Sequence, residues 1–161
     1  MDAAYLRTIS TIQEFFKIKP DEELSEGTRL LLESMQEVDI KKGDDIVTVG
    51  EDCQDGMYII LEGKATVHSS EGTLLNILNA GEFIGELGLI NDQKRGATVR
   101  AATDVRCANI SKSLFEEIAA KNPKIYGTFI NMLYTKNTKM IAEQQRIHTE
   151  LATVSSLFIF I

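Results

Sequence analysis

Six glycines, Gly43, Gly50, Gly56, Gly63, Gly72 and Gly81, cut the stretch from Val38 to Ile84 into short runs rich in β-branched residues. No helix of ordinary length survives that punctuation. Glycine recurs where a turn needs a positive φ or a close backbone approach. Short strands between regularly spaced turns predict a barrel, roll or sandwich of antiparallel strands, extending to about Ile110.

The flanks read differently. Residues 1–36 carry helical spacing, with Leu6, Ile9, Ile12, Phe15 and Phe16 on one stripe. A second helix is expected to start at Pro20 and its following acids, burying Leu30–Leu32 and Met35. After the strands, Ser111 is placed to cap a helix that ends near Asn122-Pro123, and a long helix runs from Lys124 onward. The fold expected is α+β: an antiparallel, jelly-roll-like β-roll with helices on both sides. Its segments are residues 1–36, a roll and following helix over 37–123, and the terminal helix over 124–161.

That last helix carries a second pattern. Ile130, Leu133, Asn137, Met140, Gln144, Ile147, Leu151, Val154, Phe158 and Ile161 alternate three and four residues apart. This is a heptad repeat, and with Ile130 at position a, Asn137 and Gln144 also fall at a. An Asn at a pairs best with an identical Asn and favours a parallel homodimer in one register. The competing arrangement packs the stripe on the chain's own domain; its length favours the dimer.

The chemistry concentrates in GEFIGELGLINDQKRGATVRA, residues 81–101. A carboxylate, Glu86, and a guanidinium, Arg95, stand nine residues apart among glycines and small apolar residues. Backbone N–H groups beside Gly85, Gly88 and Gly96 can approach a ligand closely and form a concave anion site. Arg95 adds paired donors that match phosphate oxygens, and an ionised Glu86 accepts from a hydroxyl. Anion plus hydroxyl points to a sugar phosphate. A plain Glu86–Arg95 salt bridge across a turn fits the same residues. The stretch lacks the Lys and hydroxyl of a nucleoside triphosphatase phosphate loop.

Composition narrows the alternatives. Net charge is −7, which argues against direct nucleic-acid binding. No signal peptide or membrane-length apolar run is visible, and two cysteines are too few for a disulfide framework, so a cytoplasmic setting is expected. A metalloenzyme on such a roll needs more than His68 and His148, and no Ser-His-Asp arrangement is visible. Neither an enzyme nor a metal site is expected.

Gly85-Glu86-Leu87-Gly88-Leu89-Ile90 followed by Arg95-Gly96-Ala97-Thr98-Val99-Arg100-Ala101 resembles the phosphate-binding cassette of cyclic-nucleotide-binding domains, the family that includes the catabolite activator protein and the regulatory subunits of protein kinase A. Gly43, Ile46, Gly50, Tyr58, Ile60, Gly63 and Val67 match the family's strand pattern, and the likeness covers about residues 5–142. The resemblance implies a ligand site at Ile84, Gly85, Glu86, Leu87, Gly88, Arg95, Gly96, Ala97 and Thr98. It assigns the ribose 2′-hydroxyl to Glu86 and the cyclic phosphate to Arg95. Backbone N–H groups near Gly85 and of Gly96 and Ala97 complete the anion site, which Leu87, Gly88 and Thr98 line. It places the base lid at Met140 and Ile141, with Tyr134 or Tyr126 as stacking alternatives.

Three positions depart from the family pattern: Ile84 for Phe, Lys94 for Pro, and Gly96 for Ala, Ser or Thr. A Thr after the Arg favours cGMP in this family; Gly96 has no hydroxyl, so cAMP is the expected ligand, with cGMP the alternative. The resemblance implies a regulatory sensor whose C-terminal helices relay binding to an output domain or partner. The alternative is a ligand-free scaffold that works through its coiled coil.

Overall fold

The computed structural model describes residues 1–19 and 21–159, without the side chains of Thr11, Phe15, Met132, Thr135, Lys139, Met140 and 153–159. The chain forms two compact units, Met1–Ile125 and Tyr126–Ile161.

The first unit opens with three helices, α1 (Ala3–Arg7), α2 (Ser10–Phe16) and α3 (Glu26–Glu33). The start expected at Pro20 is displaced to Ser25, whose Oγ accepts from the Thr28 N–H at 3.2 Å. A capping hydroxyl satisfies one of the orphan N–H groups of the first turn, which acidic residues alone do not. Pro20 itself lies outside the described residues. The buried face shifts accordingly: Leu31, Leu32 and Met35 are buried and Leu30 is exposed.

Eight strands follow among the described residues: β1 (Gln36–Ile40), β2 (Asp45–Val47), β3 (Met57–Glu62), β4 (Ala65–His68), β5 (Leu74–Leu78), β6 (Phe83–Ile84), β7 (Thr98–Ala101) and β8 (Val105–Ile110). They make two four-stranded antiparallel sheets, in the orders β1-β8-β3-β6 and β2-β7-β4-β5. The roll expected from the glycine spacing is present, and the fold is α+β. One buried cluster draws on both sheets, with Ile46, Val47 and Val99 from one and Ile60, Ile84 and Cys107 from the other. Burying each such aliphatic side chain contributes about 1.5–3 kcal/mol before entropy is counted. Arg106 on β8 reaches Glu37 on β1 and Glu62 on β3, tying three strands across the sheet's outer face.

Cys107 sits inside this cluster with no exposed surface, and burial pushes its thiol up to about 12. Alkylation proceeds through the thiolate. Iodoacetamide at pH 8 is therefore expected to leave Cys107 unmodified in the folded chain and to label it in denaturant, as read by peptide mass spectrometry.

After β8, α4 (Lys112–Lys121) begins at Ser111, whose Oγ accepts from the Leu114 N–H at 3.3 Å. The long helix α5 (Lys124–Ile159) crosses into the second unit. Along it, Ile130, Asn137, Gln144, Ile147 and Leu151 of the heptad stripe are exposed and Leu133 is half-buried. The side chains of Met140, Val154 and Phe158, and all of Ile161, lie outside the described residues. Arg146 pairs with Glu143 at 2.5 Å and Glu150 at 2.8 Å along the same helix. Among the described residues, no helix is long and apolar enough to cross a membrane.

Candidate anion site at the end of β6

Strand β6 is two residues long and stops at Gly85, where φ is +73°. The chain then makes a single 3-10 turn, Glu86–Leu89, and a loop that leads to Arg95 and β7. The left-handed step at Gly85 turns the backbone so that its carbonyl faces Arg95: Arg95 Nη1 donates to Gly85 O at 3.3 Å. A side chain here is strained by φ, and a Cβ on Gly85 would lie 1.9 Å from Arg95 Nη1, so the guanidinium would have to move.

Arg95 is 6% exposed. Its backbone is sewn to the β2–β3 loop, with Arg95 N donating to Glu51 O at 2.9 Å and Gly50 N donating to Arg95 O at 2.8 Å. Its Nη2 donates to Asp55 Oδ1 at 2.7 Å and to Gly56 O at 2.5 Å. The carboxylate bonded to Arg95 is thus Asp55, forty positions earlier in the chain. Arg95 Nε is buried and has no hydrogen-bond partner, one of two such side-chain atoms among the described residues. A buried donor left unmade costs about 1–3 kcal/mol, so this nitrogen favours any acceptor that reaches it.

Asp55 is held in turn. Tyr58 Oη donates to its second carboxylate oxygen at 3.1 Å. The Asn109 side-chain amide donates to the Asp55 carbonyl at 2.8 Å and the Met57 carbonyl at 3.0 Å. Burial, and then the Asp55 charge, push the Tyr58 hydroxyl up to about 12. A raised folded pKa means that the contribution is complete below the ordinary tyrosine value near 10 and is lost as pH climbs towards about 12. At neutral pH Tyr58 is a standing donor to Asp55.

The remaining predicted residues fall around this centre. Glu86 is 9% exposed and is the first residue of the 3-10 turn. Gly88 is buried against Cys53, whose Sγ a Cβ at Gly88 would meet at 3.0 Å. Thr98 is buried, and its Oγ1 accepts from the Val49 N–H at 3.0 Å. Leu87 and Gly96 are exposed and Ala97 is half-buried. The Ile84 side chain belongs to the core between the sheets. In the second unit, Ile141, Tyr134 and Tyr126 are exposed, while the Met140 side chain is outside the described residues. Asp55 is a site residue that sequence reasoning misses; its only sequence mark is an acid directly before the glycine that turns into β3. Among the described residues, no cluster of three or more His, Cys, Asp or Glu is disposed to hold a metal.

The family model described as the cyclic nucleotide-binding domain matches residues 37–122, more than half of the chain. The chain belongs to the cyclic nucleotide-binding domain family. Among curated relatives, a cAMP-dependent protein kinase regulatory subunit from Mucor circinelloides f. lusitanicus is 32% identical over 111 residues, covering 63% of this chain and 26% of that protein. The cAMP-activated global transcriptional regulator CRP of Salmonella typhimurium is 42% identical over 74 residues, covering 43% of this chain and 35% of that one. The chain thus spans between 26% and 35% of these two relatives' own lengths. Among solved structures, a cyclic nucleotide-binding domain from Methylobacillus flagellatus superposes with a TM-score of 0.68 at 26% identity, over 84% of this chain and 79% of that one. The catabolite activator protein of Thermus thermophilus shares the fold, with a TM-score of 0.64 at 19% identity, over 86% of this chain and 63% of that one.

Proposed function

We propose that this chain is a cAMP sensor. The observation that carries the reading is Arg95: a guanidinium 6% exposed, with a buried Nε that has no partner, in the same cassette as the buried Glu86. The cyclic phosphate docks on Arg95 and on the N–H groups about Gly85, Gly96 and Ala97, with Leu87, Gly88 and Thr98 around it and Ile84 behind it. Glu86 accepts the ribose 2′-hydroxyl. Both curated relatives carry cAMP in their names, and Gly96 offers no hydroxyl to guanine.

Residues 37–123 serve as the ligand-binding part, 1–36 as a helical support, and 124–161 as lid and dimerisation helix. Phosphate capture orders the loop before β7, and a hinge near Asn122-Pro123 lets the last helix close, with Met140 and Ile141 over the base. Ligand shifts this equilibrium only by its differential affinity for the closed state. The exposed stripe Ile130, Ile147 and Leu151, with Asn137 at an a position, supports a homodimer through α5; a cytoplasmic setting completes the reading. Binding is then relayed to an output domain or partner, without chemistry on the ligand.

The test is calorimetric titration of the nucleotide-stripped chain with cAMP and, separately, cGMP. Saturable micromolar or tighter binding of cAMP, weaker for cGMP and lost in Arg95→Ala, is expected. No heat and no thermal shift with either nucleotide would overturn the sensor. That outcome favours a scaffold in which Asp55 and Gly56 are the permanent partners of Arg95.

A further inference from the structure

Lys112 is out of place by ordinary rules. It is the first residue of α4, where the helix dipole disfavours a cation, and at 5% exposed it is more buried than a lysine normally is. Its Nζ donates to the Asn91 carbonyl at 2.8 Å and to Asp92 Oδ1 at 2.5 Å. Asp92 itself is 95% exposed at its side chain, so the fixed partner is the lysine and the anchored one is the loop. Residues 91–94 are the loop that delivers Arg95. The same loop is held from the other side by Cys53 Sγ, which donates to the Gln93 carbonyl at 3.0 Å.

The backbone of Lys112 makes a second connection. Its N–H donates to the Gln54 carbonyl at 3.2 Å, one residue before Asp55. Both arms that hold the Arg95 guanidinium, the loop carrying it and the turn carrying Asp55, are therefore fastened to one residue at the start of α4. A buried cation placed against the helix dipole marks a position where local preference yields to another demand.

We propose that Lys112 is a positioning residue of the anion site, holding the Arg95 loop and the Asp55 turn in register on the first turn of α4. The proposal rests on the cAMP reading above for its ligand, while its geometry stands independently on the hydrogen bonds of Lys112. Fastening Asn91 and Asp92 in advance lowers a cost that the nucleotide must otherwise meet on binding, and phosphate capture by Arg95 completes the ordering of the loop. It also gives α4 a direct mechanical link to occupancy of the site.

The experiment uses the full chain, Lys112→Met and Lys112→Arg, with cAMP as probe. Lys112→Met is expected to bind cAMP about 5- to 20-fold more weakly, the effect of depriving a preorganised loop of the two charge-assisted hydrogen bonds that Lys112 Nζ donates to it. In the ligand-free chain, the Arg95 amide should exchange with solvent at least about 5-fold faster, by local opening of the loop. Lys112→Arg should recover part of both. If Lys112→Met fails to fold, Asp92→Asn, altered only at an exposed side chain, is expected to shift affinity and exchange in the same direction. Unchanged affinity and unchanged Arg95 exchange, with only a lower melting temperature, would reduce Lys112 to a structural role and overturn the proposal while leaving the sensor intact. Should the parent chain bind no cAMP, the sensor reading falls, and the ligand-free exchange still decides whether Lys112 fastens the loop.

Discussion

Gly85→Ala is expected to weaken cAMP binding by at least about 100-fold with Arg95 still in the chain. A Cβ at this position lies 1.9 Å from Arg95 Nη1 and 2.9 Å from its Cζ, so the guanidinium cannot stay where it is. The φ of +73° adds strain of about 1–2 kcal/mol for any residue with a Cβ. Moving the guanidinium forfeits its alignment to the phosphate, and two charge-assisted hydrogen bonds of about 1.5 kcal/mol or more each amount to roughly 100-fold. Calorimetric titration of the folded variant decides the matter. Parent-like affinity would mean that the nucleotide does not use Arg95 in this position.

The largest effect on stability is expected at Gly56. An added Cβ would sit 2.0 Å from the Ile110 carbonyl oxygen and 2.9 Å from the Lys112 nitrogen, both backbone atoms that cannot rotate away. The φ there is +80°. Strain and forced separation of the β3 turn from the end of β8 together cost about 3–5 kcal/mol. For a chain of this size that is a fall in melting temperature of roughly 10 °C. Gly43→Ala supplies the internal comparison: φ is +93° and a Cβ would meet nothing within 4 Å, so only the conformational cost of about 1–2 kcal/mol remains. Equal urea midpoints for the two variants would show that close approach contributes nothing at Gly56.

The roll is legible in the sequence because turn geometry is local: a glycine forced to positive φ announces itself at Gly43, Gly56 or Gly63. Glu86 and Arg95 are legible because residue type and spacing carry their chemistry. Asp55 is not, since its role depends on register. Tyr58 pairs with Ile84 across β3 and β6, and only that pairing brings the Asp55 turn beside Gly85 and Arg95. Lys112 is hidden for the same reason; nothing local distinguishes it from a solvated surface lysine. The start of α3 is easily misplaced because Pro20 and its acids imitate a helix start, while the capping hydroxyl of Ser25 decides it. The α5 stripe is legible as a period, and along it Ile130, Asn137, Gln144, Ile147 and Leu151 are exposed.

The pairing of β1 with β8 sets Gln36 opposite Asn109, so the roll's entry and exit are hydrogen-bonded neighbours. A module with adjacent ends can be inserted into a surface loop of another protein, or strung in tandem, without stretching its host. The same closure makes assembly depend on contacts between residues far apart in the chain. Folding of such a topology belongs to the slow end of the range, about milliseconds to seconds, because the first strand must wait for the last.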